Sequence, residues 1–118
     1  MTSLSSARDD FAVDYSKMND ADKTTYYTRI SANLYTVVNI LDLTSYSHDP
    51  KIQKNLFNAT HNLYLCMTRN DSQDAITSTK NMPIIYDCLS KIILDPKDEK
   101  DSQTISQIAG NLYFYRIK

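Results

Sequence analysis

Side chains able to act as nucleophiles, metal ligands or general bases are few in this chain, and their spacing suits no joint chemistry. Cys66, Cys88, His48 and His61 are all its cysteines and histidines. A zinc site needs four such ligands, normally including a closely spaced pair, and these four contain none. A Cys–His nucleophile needs an accessible thiol made acidic by its surroundings. Both cysteines instead fall at apolar helical positions, where a thiol stays protonated and inert. With Gly110 as its one glycine, the chain can hold no nucleophile elbow, phosphate loop or dinucleotide fingerprint. Its acids are thirteen Asp and the single Glu99. They are scattered, without the Glu-x-x-His clusters of di-metal bundles. The expectation is a non-enzymatic chain with no catalytic residue, no cofactor and no metal.

The more telling inventory is aromatic: nine tyrosines and three phenylalanines. Large rigid rings are enriched where proteins meet, because they gain contact area at low entropic cost. Tyr26-Tyr27 and Tyr113-Phe114-Tyr115 are the dense groups. Successive residues of a helix point about 100° apart, so each group must send at least one ring away from the core. Tyr26, Tyr113, Phe114 and Tyr115 are therefore the expected partner contacts, with Phe114 as an internal anchor. Tyrosines also stack on bases. Yet lysine and arginine do not cluster beyond Lys51 with Lys54, and the net charge is −1, so a polyanion has little to bind.

These residues are carried on helices. Ile30, Leu34, Val37 and Leu41 recur with 4-3-4 spacing, the period of one helical face, over a helix expected from about 19 to 46. A second stripe, Ile52, Leu56, Ala59, Leu63 and Cys66, predicts a helix over 50–69. Asp49-Pro50 marks its start, since proline suits the first helical position. Matched stripes on a short connector read as an antiparallel helical hairpin over about 20–69. Residues 73–80 read as a short polar helix or a lead-in to the next one. Asn81 is the expected cap of a very apolar helix with Ile85, Cys88, Leu89 and Ile92 on its inner face. After Asp95-Pro96 and the mixed-charge run 97–101, a last helix is expected from about Ser102. Its aromatic end, 111–118, continues as helix or leaves as a strand-like tail, and helix is the preferred form. The acids being almost all Asp, they are expected at helix ends and loops, where Asp caps well.

Residues 1–18 read as a poorly ordered, mobile N-terminal arm, in which the alternation of Phe11, Val13 and Tyr15 allows a short extended stretch. Residues 19–118 read as a single domain, an all-α compact bundle of four to five helices. No apolar run reaches the roughly 18 residues of a membrane span, and the polar, acidic N-terminus has no secretory pattern. The cytoplasm or nucleus is the expected location, with no membrane partner. The functional expectation is a protein–protein interaction module using an aromatic helical surface. It would serve as an adaptor, a small subunit of a larger assembly or a viral binder of a host factor. A nucleic-acid-associated helical protein and a homo-oligomeric structural protein, such as a homodimer paired through the long first helix, are the alternatives.

Overall fold

The computed structural model describes the backbone of residues 2–43, 50–95 and 97–114, and the side chains of 3–39, 54–69, 71–95 and 97–113. The fold is all-α: six α-helices and one 3-10 turn, with no strand among the described residues. The radius of gyration is 13.4 Å, matching the roughly 13.5 Å of a compact body of this length.

The periodic stripes become the core. Helix α2, Asp20–Leu43, starts where Asn19 Oδ1 accepts from the Asp22 amide at 2.8 Å, and Asp20 and Asp22 complement its positive end. It buries Tyr27, Ile30, Leu34, Val37 and Val38. Helix α3, Pro50–Cys66, begins on its proline and buries Leu56, Ala59, Leu63 and Cys66. The side chains of Leu41 and Ile52 lie outside the described ones. Helices α2 and α3 pack together, but the broadest interface of α3 is with the last helix, α6, Glu99–Phe114, which contributes Ile105 and Ala109. The connector expected to close the hairpin, 44–49, lies outside the described residues.

Between them, α4, Asn70–Ile76, is short and polar and buries Ser72 and Ile76. Helix α5, Met82–Leu94, is the most apolar and buries Met82, Ile85, Cys88, Leu89 and Ile92. Asn81 does not cap it as expected. Its side-chain amide turns back to the Ala75 carbonyl at 2.9 Å and ties the connector to α4 instead. Helix α6 starts three residues before the expected Ser102, because Asp98 Oδ1 accepts from the Asp101 amide at 3.1 Å. Asp14, Asn19 and Asp98 thus occupy the capping positions that a chain rich in Asp and Asn provides for.

The N-terminal segment departs most from the sequence expectation. It is not a poorly ordered arm: Thr2–Asp10 form helix α1, which packs on both α2 and α5. Leu4, Ala7 and Phe11 are each at most 1% exposed. Their 3-4 spacing is one helical face, diluted in the sequence by serines. Nine residues with so little apolar content do not hold a helix in isolation, so packing supplies its stability. Phe11 and Ala12 donate to the Arg8 and Asp9 carbonyls at 2.9 and 3.0 Å and close the last turn. The chain is then extended at Asp14 and enters the 3-10 turn Tyr15–Lys17.

No described helix is long and apolar enough to cross a membrane. Among the described residues, no three His, Cys, Asp or Glu side chains are grouped to hold a metal. Cys66 and Cys88 are buried thiols. Burial, and then the neighbouring Asp101, push the Cys88 thiol up to about 12. At neutral pH it is neutral and a poor nucleophile.

Candidate functional site

The segment after α1, the start of α2 and the α4–α5 connector surround an open groove of about 770 Å³. That lies within the roughly 300–1,000 Å³ typical of ligand sites. Local chemistry fixes each wall. On one side, Asp14 Oδ1 accepts from the Ser16 amide at 3.0 Å and from its hydroxyl at 2.6 Å, a side-chain turn that sets the 3-10 geometry. The Ser16 donors also hold the Asp14 carboxyl below its ordinary value. The Tyr15 hydroxyl donates to the Asp10 carbonyl at 2.6 Å and binds this segment back to α1. On the other side, the Asn81 amide donates to the Ser78 carbonyl at 3.1 Å. Pro83 then enters the first turn of α5, where an N–H is not needed.

The floor is apolar and aromatic. Phe11, Tyr15, Tyr27 and Met82 are buried yet line the groove. The Tyr15 and Tyr27 rings lie 5.4 Å apart, and Tyr26 meets Tyr15 edge-on at 5.8 Å. These separations are those of favourable aromatic pairs. The Tyr27 hydroxyl sits between Thr77 Oγ1 at 2.9 Å and Asp74 Oδ1 at 3.2 Å. Burial, foremost, raises the Tyr27 hydroxyl above its ordinary value, and the Asp74 carboxylate adds to this. Burial and the Asp10 carboxylate do the same to Tyr15. Both remain protonated at neutral pH. The rim carries Asp14, Asp74 and Asp87 against Lys23, together with Tyr86, which is 37% exposed.

One pattern recurs beyond the groove. Each arginine whose side chain is described lies between a carboxylate and a tyrosine ring. Arg8 pairs with Asp9 at 3.0 Å and lies 5.7 Å from the centre of Tyr86. Arg29 donates to both oxygens of the buried Asp10, through Nε at 2.9 Å, and stands 4.8 Å over Tyr26. Arg69 meets Asp71 at 3.4 Å, stands 5.3 Å over Tyr113 and donates to its carbonyl at 2.9 Å. Guanidinium is suited to this because it stacks on rings and forks onto carboxylates.

The residues expected to bind a partner are placed apart. Tyr26 is half-buried beside the groove, behind Tyr15 and under Arg29. Tyr113 is half-buried near the end of α6 under Arg69 and does not line the groove. Phe114 is the last residue of α6, with its side chain outside the described ones, and Tyr115 lies outside the described residues. The groove residues themselves were not singled out by sequence reasoning. The available signals were the Leu4-Ala7-Phe11 spacing and the Asp14-x-Ser16 turn.

Two further surface features lie outside the groove. Tyr35 on α2, 53% exposed, packs on Tyr64 of α3 at 5.6 Å, and on α3 Phe57 stacks with His61. A second groove of about 790 Å³ between α3 and α6 is polar, with Lys54, Asn58, Glu99, Gln103 and Gln107. Neither combines a buried apolar floor with convergent polar atoms. No protein-family model, no curated protein and no solved structure matches this chain.

Proposed function

We propose that this chain is a non-enzymatic protein-interaction module, an adaptor or small subunit of a larger assembly in the cytoplasm or nucleus, and that the groove beside α1 is its docking site. The observation that carries this reading is the groove itself, an apolar aromatic floor ringed by a few fixed polar groups on helices held by a common core. That is the make-up of sites that seat a side chain of another molecule. Its two buried tyrosine hydroxyls do not favour catalysis. A general base works best with a value near the operating pH, and the Tyr15 and Tyr27 hydroxyls are moved away from it. A rim with three carboxylates against one ammonium also repels a phosphate backbone, which disfavours nucleic acid here.

The test is site-specific photo-crosslinking in lysate of the source cells. A photoreactive phenylalanine analogue replaces Ser16 at the groove or, as a control, Gln107 on the polar α3–α6 side; both positions are exposed. The expected result is a discrete protein adduct from position 16, weak or absent from position 107, and lost when Thr79→Trp fills the groove. Adducts of equal yield from both positions, or adducts from position 16 that survive Thr79→Trp, would overturn the proposal.

A further inference from the structure

We infer that the groove takes a partner segment presenting an arginine beside an apolar side chain, with the guanidinium held between the groove's aspartates and tyrosines. This rests on the reading of the groove as the docking site and adds the chemistry of what enters it. The groove lining holds three aspartates and three tyrosines. Asp14 precedes Tyr15, Asp87 follows Tyr86, and Asp74 accepts from the Tyr27 hydroxyl at 3.2 Å. The chain uses the same two residue types to hold its own arginines, Arg8 against the groove's Tyr86 and, outside the lining, Arg29 and Arg69. No arginine is among the groove's lining residues, and its cation is Lys23 alone. The lining therefore carries two net negative charges, in a chain whose total is −1.

The chain also shows what the rim attracts. Arg8 approaches the Tyr86 ring without being part of the groove lining. The exposed Asp87 engages Lys91 at 3.0 Å, an exposed pair that exchanges readily for a better-placed cation. Arginine fits this setting better than lysine. Its planar head stacks on a ring while forking onto a carboxylate, whereas an ammonium is a compact and strongly hydrated point charge. The apolar lining residues Phe11, Val13, Met82 and Pro83 offer the neighbouring apolar side chain a place out of water.

The experiment is selection of a phage-displayed dodecapeptide library on the full chain, followed by synthesis of the recovered peptides. Their affinities are measured by fluorescence anisotropy on four proteins: the native chain, Thr79→Trp, Asp74→Asn and the double variant Asp14→Asn/Asp87→Asn. The three aspartates are exposed and asparagine is isosteric, so helicity is expected to be retained and is checked by circular dichroism. The expected peptides carry an arginine next to an apolar residue and fail to bind Thr79→Trp. They weaken about tenfold on the Asp14→Asn/Asp87→Asn chain, the size of one charge-assisted hydrogen bond. They also weaken when their arginine becomes lysine. Peptides that Thr79→Trp excludes, but that lack arginine and ignore the aspartate variants, would overturn this inference and leave the docking site standing. If every recovered peptide binds Thr79→Trp as well as the native chain, or none is recovered, both fall.

Discussion

Replacing Phe11 with alanine is expected to destabilise the chain by about 3–5 kcal/mol, the range for removing a fully buried phenylalanine. Phe11 is 1% exposed and belongs to the main core cluster. It continues the Leu4–Ala7 face past the end of α1, which packs on α2 and α5. The truncation leaves a cavity in the core, which adds to the lost transfer free energy. Domains of this size are stable by roughly 5–15 kcal/mol, so the loss would be a large fraction of the total. It should appear as a marked fall in the urea midpoint of the helical signal. Were residues 1–18 a loosely attached arm, the change would stay within about 0.5 kcal/mol, as for ordinary surface substitutions. Since Phe11 also lines the groove, the measurement reports on the site as well as the fold.

Arg29→Ala is the second substitution with a large expected effect, about 1–3 kcal/mol. The pair is lopsided: the Asp10 side chain is 3% exposed and that of Arg29 56%. An ion pair of two exposed groups contributes little. Here, however, removing the arginine strands a carboxylate that the fold has already taken out of water, and the cost is that of the unpaired buried acceptor. The Tyr26 ring loses its guanidinium at the same time. Because the Tyr15 hydroxyl is bonded to the Asp10 carbonyl, the loss should pass to the groove wall, as faster hydrogen exchange at residues 11–16. Adding Asp10→Asn to Arg29→Ala removes the stranded charge, so the double variant is expected to lose less stability than the two single losses added together. Strict additivity would show that the two side chains are not coupled.

The parts of this fold that could be read in advance are those in which burial follows a continuous period. Ile30, Leu34 and Val37, then Leu56, Ala59, Leu63 and Cys66, then Ile85, Cys88, Leu89 and Ile92 are all buried as their spacing requires. Ile105 and Ala109 complete the set from α6. Helix α1 was not legible, because it offers two buried apolar residues among serines and charges, with Phe11 just beyond its end, and its helicity comes from the partners it packs on. The Phe11, Val13 and Tyr15 alternation pointed to extended chain. The backbone is indeed extended at Asp14, but Phe11 and Tyr15 are core residues on either side of a bend. Asn81 shows a similar limit. Its position before an apolar helix invites a capping role, and the nearby Ala75 carbonyl takes its amide instead.

The groove is harder still to foresee, because its walls come from 11–16, 23–27, 74–79 and 82–87, and no one stretch carries a motif. The aromatic composition raised the expectation of a contact surface. What it could not show is that Tyr26 and Tyr113 are each covered by an arginine of their own chain. Tyr15 and Tyr27 instead line the groove with no arginine over their rings among the described residues, and Arg8 reaches only Tyr86 at its rim.

The most direct measurement is an amide chemical-shift titration of the isotopically labelled full chain with an arginine-bearing peptide recovered by the library selection. Docking in the groove predicts saturable shifts concentrated at residues 11–16, 74–79 and 82–87, with those around Tyr35, Tyr64 and Tyr113 unmoved. Shifts centred on Tyr35 and Tyr64, or on Tyr113, with the groove amides unchanged, would contradict it.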